Sequence, residues 1–210
     1  MTKTLSRLYD NYDSALATAR DLESAGIAEN KIGLLANGVN GSGQPTGKRV
    51  DSHGETAGAH AGKDAGLGTV VGGGVGLLSG LGLLVVPGIG PALGLGWLAA
   101  TAVGAVTGAA VGGAAGGLAG SLAAEGVPEA EAHVYAESIR RGGTVVSVRA
   151  DDGEVSKVNE ILDRHGTVEL SSRHEAYRDA GWAAFDPAAE PLDPEEIRRE
   201  RLRLDPRIPR

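Results

Sequence analysis

The sequence has no cysteine, one phenylalanine, one methionine and only 3% aromatic residues in 210. The missing cysteine excludes disulfides, thiolate metal sites and a cysteine nucleophile, and it fits a reducing compartment. So few large rings argue against a large conventional core. The formal net charge is −7, and no basic stripe with interleaved aromatics occurs, so the electrostatic footprint of nucleic-acid binding is lacking. The opening MTKTLSRLYDNYDS has no apolar stretch. We therefore expect no secretory signal peptide and place the polar parts in the cytoplasm.

The most informative absence is local. Between Asp64 and Glu125 there is no Asp, Glu, Lys or Arg. Glycine recurs there at every fourth position: Gly68, Gly72, Gly76 and Gly80 form one row, and Gly104, Gly108, Gly112, Gly116 and Gly120 another. Residues four apart share a helix face, so each row is a bare groove that a second backbone can approach closely. Each Gly weakens an isolated helix by roughly 1 kcal/mol, so the pattern requires helix–helix contact or a bilayer to stabilise it. VPGIGP at 86–91 interrupts the run. Its Pro87, Gly88, Gly90 and Pro91 cannot continue a helix. Two helices of roughly 50 Å, over about 55–86 and 91–124, are predicted on either side of a turn at 87–91.

The flanks read as two halves of one α/β module. In residues 1–36, Thr4–Tyr9 alternates as a half-buried strand, a helix capped by Asp10 or Asp13 runs to Gly26, and KIGLLA at 31–36 is a second strand. Residues 37–54 are a turn-rich linker. In 125–173, a helix follows Pro128 and stops at Gly142-Gly143, TVVSVR at 144–149 is a strand, a helix spans about 154–165, and Val168–Ser172 closes as a last strand. Residues 174–210 form a charged, proline-punctuated tail in which 194–204 reads as a short helix, with Trp182 and Phe185 docking on the module or on a neighbouring subunit. The expected class is α+β: a ferredoxin-like split βαβ module interrupted by a long Gly/Ala-rich helical hairpin.

VPGIGP at 86–91, GVPEAEAHVYAESIRRGGTVVSV at 126–148, ILDRHGTVEL at 161–170 and GWAAFDP at 181–187 together resemble a bacterial general-stress-protein family. It has a split α/β module, and the heat-induced YflT-type proteins belong to it. The resemblance covers about Thr4 to Arg201. It implies the split architecture, a membrane or stress association for members with a glycine-zipper insert, and no reaction or catalytic residues to carry over.

Motifs for chemistry are missing. No Gly-x-Gly-x-x-Gly occurs, and GQPTGKR at 43–49 is one residue short of a phosphate loop, with Arg49 where Ser or Thr would meet magnesium. His53 and His60 lie near Glu55 and Asp64, but their spacing does not share a helix face, so no metal or cofactor is assigned. Leu67 to Val86 is long and apolar enough to match a bilayer core of about 30 Å, whereas the second arm turns to Ala and Gly beyond Leu98. Arg140 and Arg141, with Lys48, Arg49 and Lys63, set positive charge at the arm bases, as expected on a cytoplasmic side or at helix C-termini. The expected function is non-enzymatic: a stress-associated protein that self-assembles through the hairpin in or on the inner membrane, with a cytoplasmic module. The alternative is a soluble cytoplasmic homo-oligomeric scaffold, a ring, filament or shell of bundled hairpins.

Overall fold

A computed structural model describes residues 2–38, 82–102 and 117–204. It is an α+β structure built on one antiparallel sheet. The alternating N-terminal segment forms β1, Thr2–Tyr9. It pairs along its whole length with β5, Thr144–Asp151, from Thr2 opposite Asp151 to Tyr9 opposite Thr144. The other edge of β5 pairs with β2, Ile32–Asn37. The latest of these three strands in sequence therefore lies between the two earlier ones. β5 is buried on both faces from Thr144 to Val148, as its run of β-branched residues favours.

Between β1 and β2 runs α1, Tyr12–Ser24, closed by Gly26 in the left-handed region at φ 87°. Its cap is Asn11, not Asp10 or Asp13: the Asn11 side chain accepts from the Ser14 N–H at 2.8 Å, satisfying one of the donors that a helix start leaves open. Asp10 is held elsewhere, by Arg173 at 2.6 Å.

The predicted helical arms are corrected where they meet the turn. Residues Gly82–Val86 are β3 and Gly90–Leu95 are β4, a hairpin of strands in which Val86 pairs with Gly90. β4 pairs with β2, giving the sheet order β1-β5-β2-β4-β3. A short apolar run between Gly and Pro fits a buried strand as well as a helix. Here the edge of β2 supplies the hydrogen bonds that decide it. A helix, α2, begins only at residue 96. The bend into it is tight, because a Cβ on Gly96 (φ 64°) would stand 2.0 Å from the Ile32 carbonyl oxygen.

On one sheet face, Ala15, Ala19 and Leu22 of α1 and Val158, Ile161 and Leu162 of α5 (Val155–Leu162) pack on Ile32, Leu34, Val146 and Val148. The opposite face is covered by Trp97 and Leu98 of α2, Leu118 and Leu122 of α3 (Gly117–Ala124), and Tyr135 and Ile139 of α4 (Glu129–Arg140). The core is therefore substantial despite the scarcity of aromatics. Aliphatic side chains fill it, each contributing about 1.5–3 kcal/mol on full burial.

The last expected strand, Val168–Ser172, is also corrected. The Val168 N–H donates to Leu8 O at 2.8 Å, and among the described residues this single bridge is all that pairs with the outer edge of β1. From Leu170 the chain becomes α6, Leu170–Asp179, because Arg173, Ala176 and Tyr177 recur at helical spacing and are buried together. The tail helix is present as α7, Pro194–Leu204.

Candidate functional site

Of the glycine rows, Gly68, Gly72, Gly76, Gly80, Gly104, Gly108, Gly112 and Gly116 lie outside the described residues, as do residues 39–54 of the linker, 55–81 of the first predicted arm and 103–116 of the second, while Asn37 belongs to β2 rather than to the linker. Gly120 is half-buried on α3. The turn residues are described, and they sit at the centre of an arrangement that includes the tail. Gly88 and Gly90 have φ 74° and 86°, and Pro91 pairs with Val85 in the hairpin. A Cβ on Gly88 would stand 2.7 Å from the Asp186 carbonyl oxygen, and one on Gly90 would stand 2.9 Å from Pro191. Gly117 (φ 81°), the first residue of α3, faces Pro187 at 3.2 Å in the same sense. Residues 186–191 thus lie across the hairpin turn and the start of α3, two of the places where the glycine-rich region joins the module.

The strap is fastened on both sides. Phe185, the single phenylalanine, is buried in the core under α2–α4, and its N–H donates to His133 Nδ1 at 3.2 Å. Trp182 meets the Tyr177 ring edge-on at 5.7 Å and His174 at 5.9 Å, geometry that aromatic quadrupoles favour. Beyond the strap, α7 buries Ile197 completely. Arg140 and Arg141, at the C-terminal end of α4, hold the tail: Arg140 donates to Glu190 O at 3.0 Å, and Arg141 pairs with Glu200 and with the buried Glu137. Arg201 donates to Gly142 O at 2.6 Å, placing a cation at the C-terminal end of α4. Docking of Trp182 and Phe185 was legible from their isolation in a polar tail. The reach of the strap to Gly88 and Gly117 was not, since nothing local to those glycines signals it.

A second feature is an open cleft of about 720 Å³ outside β1, between α4 and α6. Val134, Val168 and Leu170 make its apolar side, Glu131, Asp163, Glu169 and Arg7 provide charge, and His174 also lines it. Arg7 is fully engaged there, donating to Asp163 at 2.8 Å, to Asn159 at 3.1 Å and to Ser6 O at 3.0 Å. Burial opposes its charge, but Asp163 more than offsets this and raises its pKa. Tyr135 is pushed up strongly, first by burial and then by the charges of Glu131 and Glu169. It remains a neutral donor to Ser6 O at 3.0 Å.

The interior hydroxyls are committed to structure in the same way. Ser6 and Ser147 share a 2.7 Å hydrogen bond across β1 and β5, and Tyr9 donates to Leu162 O at 2.7 Å. Burial pushes Tyr9 up to about 12, far from the range in which a phenol acts as a base near neutrality. His165, in the turn after α5, bonds to Asp21 of α1 at 3.0 Å. Among the described residues no helix is long and apolar enough to cross a membrane, and no group of three or more His, Asp or Glu is placed to hold a metal. His53 and His60 lie outside those residues. No family model, curated protein or solved structure matches the chain.

Proposed function

We propose that this chain is a non-enzymatic, stress-associated protein that assembles with copies of itself through its glycine rows. The assembly would sit in or on the inner membrane, with the α/β module on the cytoplasmic side. The carrying observation is the charge-free run between Asp64 and Glu125, with its glycines four apart. Small-xxx-small faces associate by close van der Waals packing wherever lipid or protein excludes water. The buried hydroxyls and engaged charges of the module support a structural role for it. β5 lying between β1 and β2, with Val168 bridging to the far side of β1, supports the ferredoxin-like split reading, extended by the β3–β4 hairpin. The stress association rests on the motif resemblance, and the acidic balance argues against nucleic acid as a partner.

A soluble homo-oligomeric scaffold is the second reading, and one observation favours it. Val86, Ile89, Leu93, Leu95, Trp97 and Leu98, which belong to the most lipid-compatible part of the predicted hairpin, are buried within the module. The charge-free stretches left over are 65–81 and 103–116. A spanning helix needs about 17–25 apolar residues, so the first is at the lower limit and the second falls short of it.

Replacing Gly108 and Gly112 together by Leu fills the groove of the second row and is expected to reduce the oligomer to smaller species in analytical ultracentrifugation. An oligomer of unchanged mass overturns assembly through that row. Carbonate extraction of cell membranes separates the two locations: retention in the pellet supports insertion, and release as a large particle supports the scaffold.

A further inference from the structure

Where α4, α6 and α7 meet, guanidinium groups outnumber carboxylates. Glu137, 1% exposed, accepts from Arg140 at 3.1 Å and from Arg141 at 2.6 Å. Glu200 accepts from Arg141 and, at 2.7 Å, from Arg203. Asp10 accepts from the buried Arg173 at 2.6 Å. Arg201 has no carboxylate of its own among the described residues. Its Nη2 goes to Gly142 O, its Nε is buried without an acceptor, and Asp10, already bonded to Arg173, is the acid whose charge acts on it. Two guanidinium groups thus share one carboxylate: Arg173 is buried and Arg201 half-buried, while the Asp10 side chain is 52% exposed. A buried cation without its counter-charge is costly, and a neighbouring polar group offsets only part of that cost.

Beside this surplus is a small void of about 10 Å³, lined by Asp10, Ser138, Arg141, Arg173, Tyr177 and Arg201 among others. That is room for one sphere of water size, and too little for phosphate or a carboxylate group. The Tyr177 hydroxyl donates to Ser138 Oγ at 3.1 Å, which leaves the Ser138 hydrogen to be donated into the void. Arg141 lies over the Tyr177 ring, 4.4 Å from its centroid, and forms a wall on the α4 side.

We infer that this void binds a single monatomic anion, chloride in the cell, held by Arg173, Arg201 and the Ser138 hydroxyl. The anion supplies the negative charge that Asp10 divides between two arginines. Its donors come from α4, α6 and α7, so binding fastens the tail helix to the body of the module. A water molecule would fit the same volume but would leave the surplus charge uncompensated. Chloride and bromide should therefore stabilise the protein, whereas a large anion of equal charge should not.

The test is thermal unfolding of the full chain in sodium chloride, sodium bromide or sodium gluconate at matched ionic strength. The expected result is a saturable rise of the melting temperature with either halide, half complete below about 100 mM, as site binding to the folded state requires. Superimposed halide and gluconate curves overturn the inference. Arg201→Gln removes the surplus charge and should abolish the halide response. Should that variant fail to fold, Ser138→Ala keeps every charge and should shift the halide midpoint to higher concentration; an unshifted midpoint removes the site from this void. Crystals grown in bromide should show an anomalous peak within hydrogen-bond distance of Arg173 and Arg201. A halide response with no peak there places the ion elsewhere and equally overturns it.

Discussion

One hydrogen atom at Gly96 allows α2 to begin against β2, and its replacement by a methyl group tests how closely the two are joined. Gly96 and Gly26 both adopt positive φ, but a Cβ at Gly96 would collide with Ile32 O, whereas one at Gly26 has nothing within 4 Å. Gly26→Ala should cost about 1 kcal/mol, the left-handed penalty alone. Gly96→Ala should exceed it by about 2 kcal/mol or more, since strain and collision add. Urea midpoints of the two variants give the comparison, and equal losses would show that the backbone shifts freely at Gly96. The tyrosines govern behaviour in alkali. Tyr9 and Tyr177 are raised from 10.0 to about 12, chiefly by burial. As pH rises above 10 the unfolded chain loses these protons first, so stability present below pH 10 falls progressively until pH 12. Urea midpoints measured across that window should decline, and Tyr9→Phe should flatten the decline; a level profile contradicts the assignment. Gly26 was legible as a helix stop because its role is local. The role of Gly96 was not, because the atom that forbids a side chain there comes from another strand. The cap was misread for a similar reason: Asp10 is drawn away by Arg173, far along the chain.

At the level of elements, the strap and its helix turn the tail into part of the core. Phe185→Ala empties a buried ring site and should cost about 3–5 kcal/mol. It should also speed limited proteolysis between α6 and α7; unchanged stability and cleavage would mean that the strap only rests on the surface. The elements most readily legible in the sequence were those with one clear periodicity: β1 and β5 by alternation, α4 and α5 by helical spacing and their glycine stops. The β3–β4 hairpin was not. Leu84 to Val86 and Ala92 to Leu95 are short apolar runs bounded by Gly and Pro, and a turn at Pro87-Gly88 joins strands as readily as helices. The outcome depends on β2 having a free edge, which is a tertiary fact. Val168 shows the converse: a β-branched residue beside a strand edge forms one bridge, and the chain then follows the stronger helical pattern of Arg173, Ala176 and Tyr177.

At the level of the whole molecule, two α/β halves were legible, and so was the special character of the region between them. The joining of that region to the sheet was not, because strand order follows from pairing between distant segments. β2 and β3 both pair antiparallel with β4 and so run parallel to each other. Just past the end of β2, the Gly38 N–H donates to Pro91 O at 2.7 Å. The first residue of β3, Gly82, lies opposite Gly94, at the other end of the strands. The glycine-rich stretch ahead of β3 therefore begins and ends at opposite ends of the sheet, and the second stretch is bounded by α2 and α3. The position of β5 has a consequence for synthesis. β1 and β2 leave the ribosome early, yet the strand that separates and pairs with both is made only after the whole glycine-rich region. At about 5–20 residues per second, the stretch from Asn37 to Thr144 takes on the order of 5–20 s to appear. During that interval the nascent chain presents open strand edges together with a glycine-rich sequence free of charge. The protein is then most open to capture by neighbouring chains, and a chaperone at the ribosome would matter most to it.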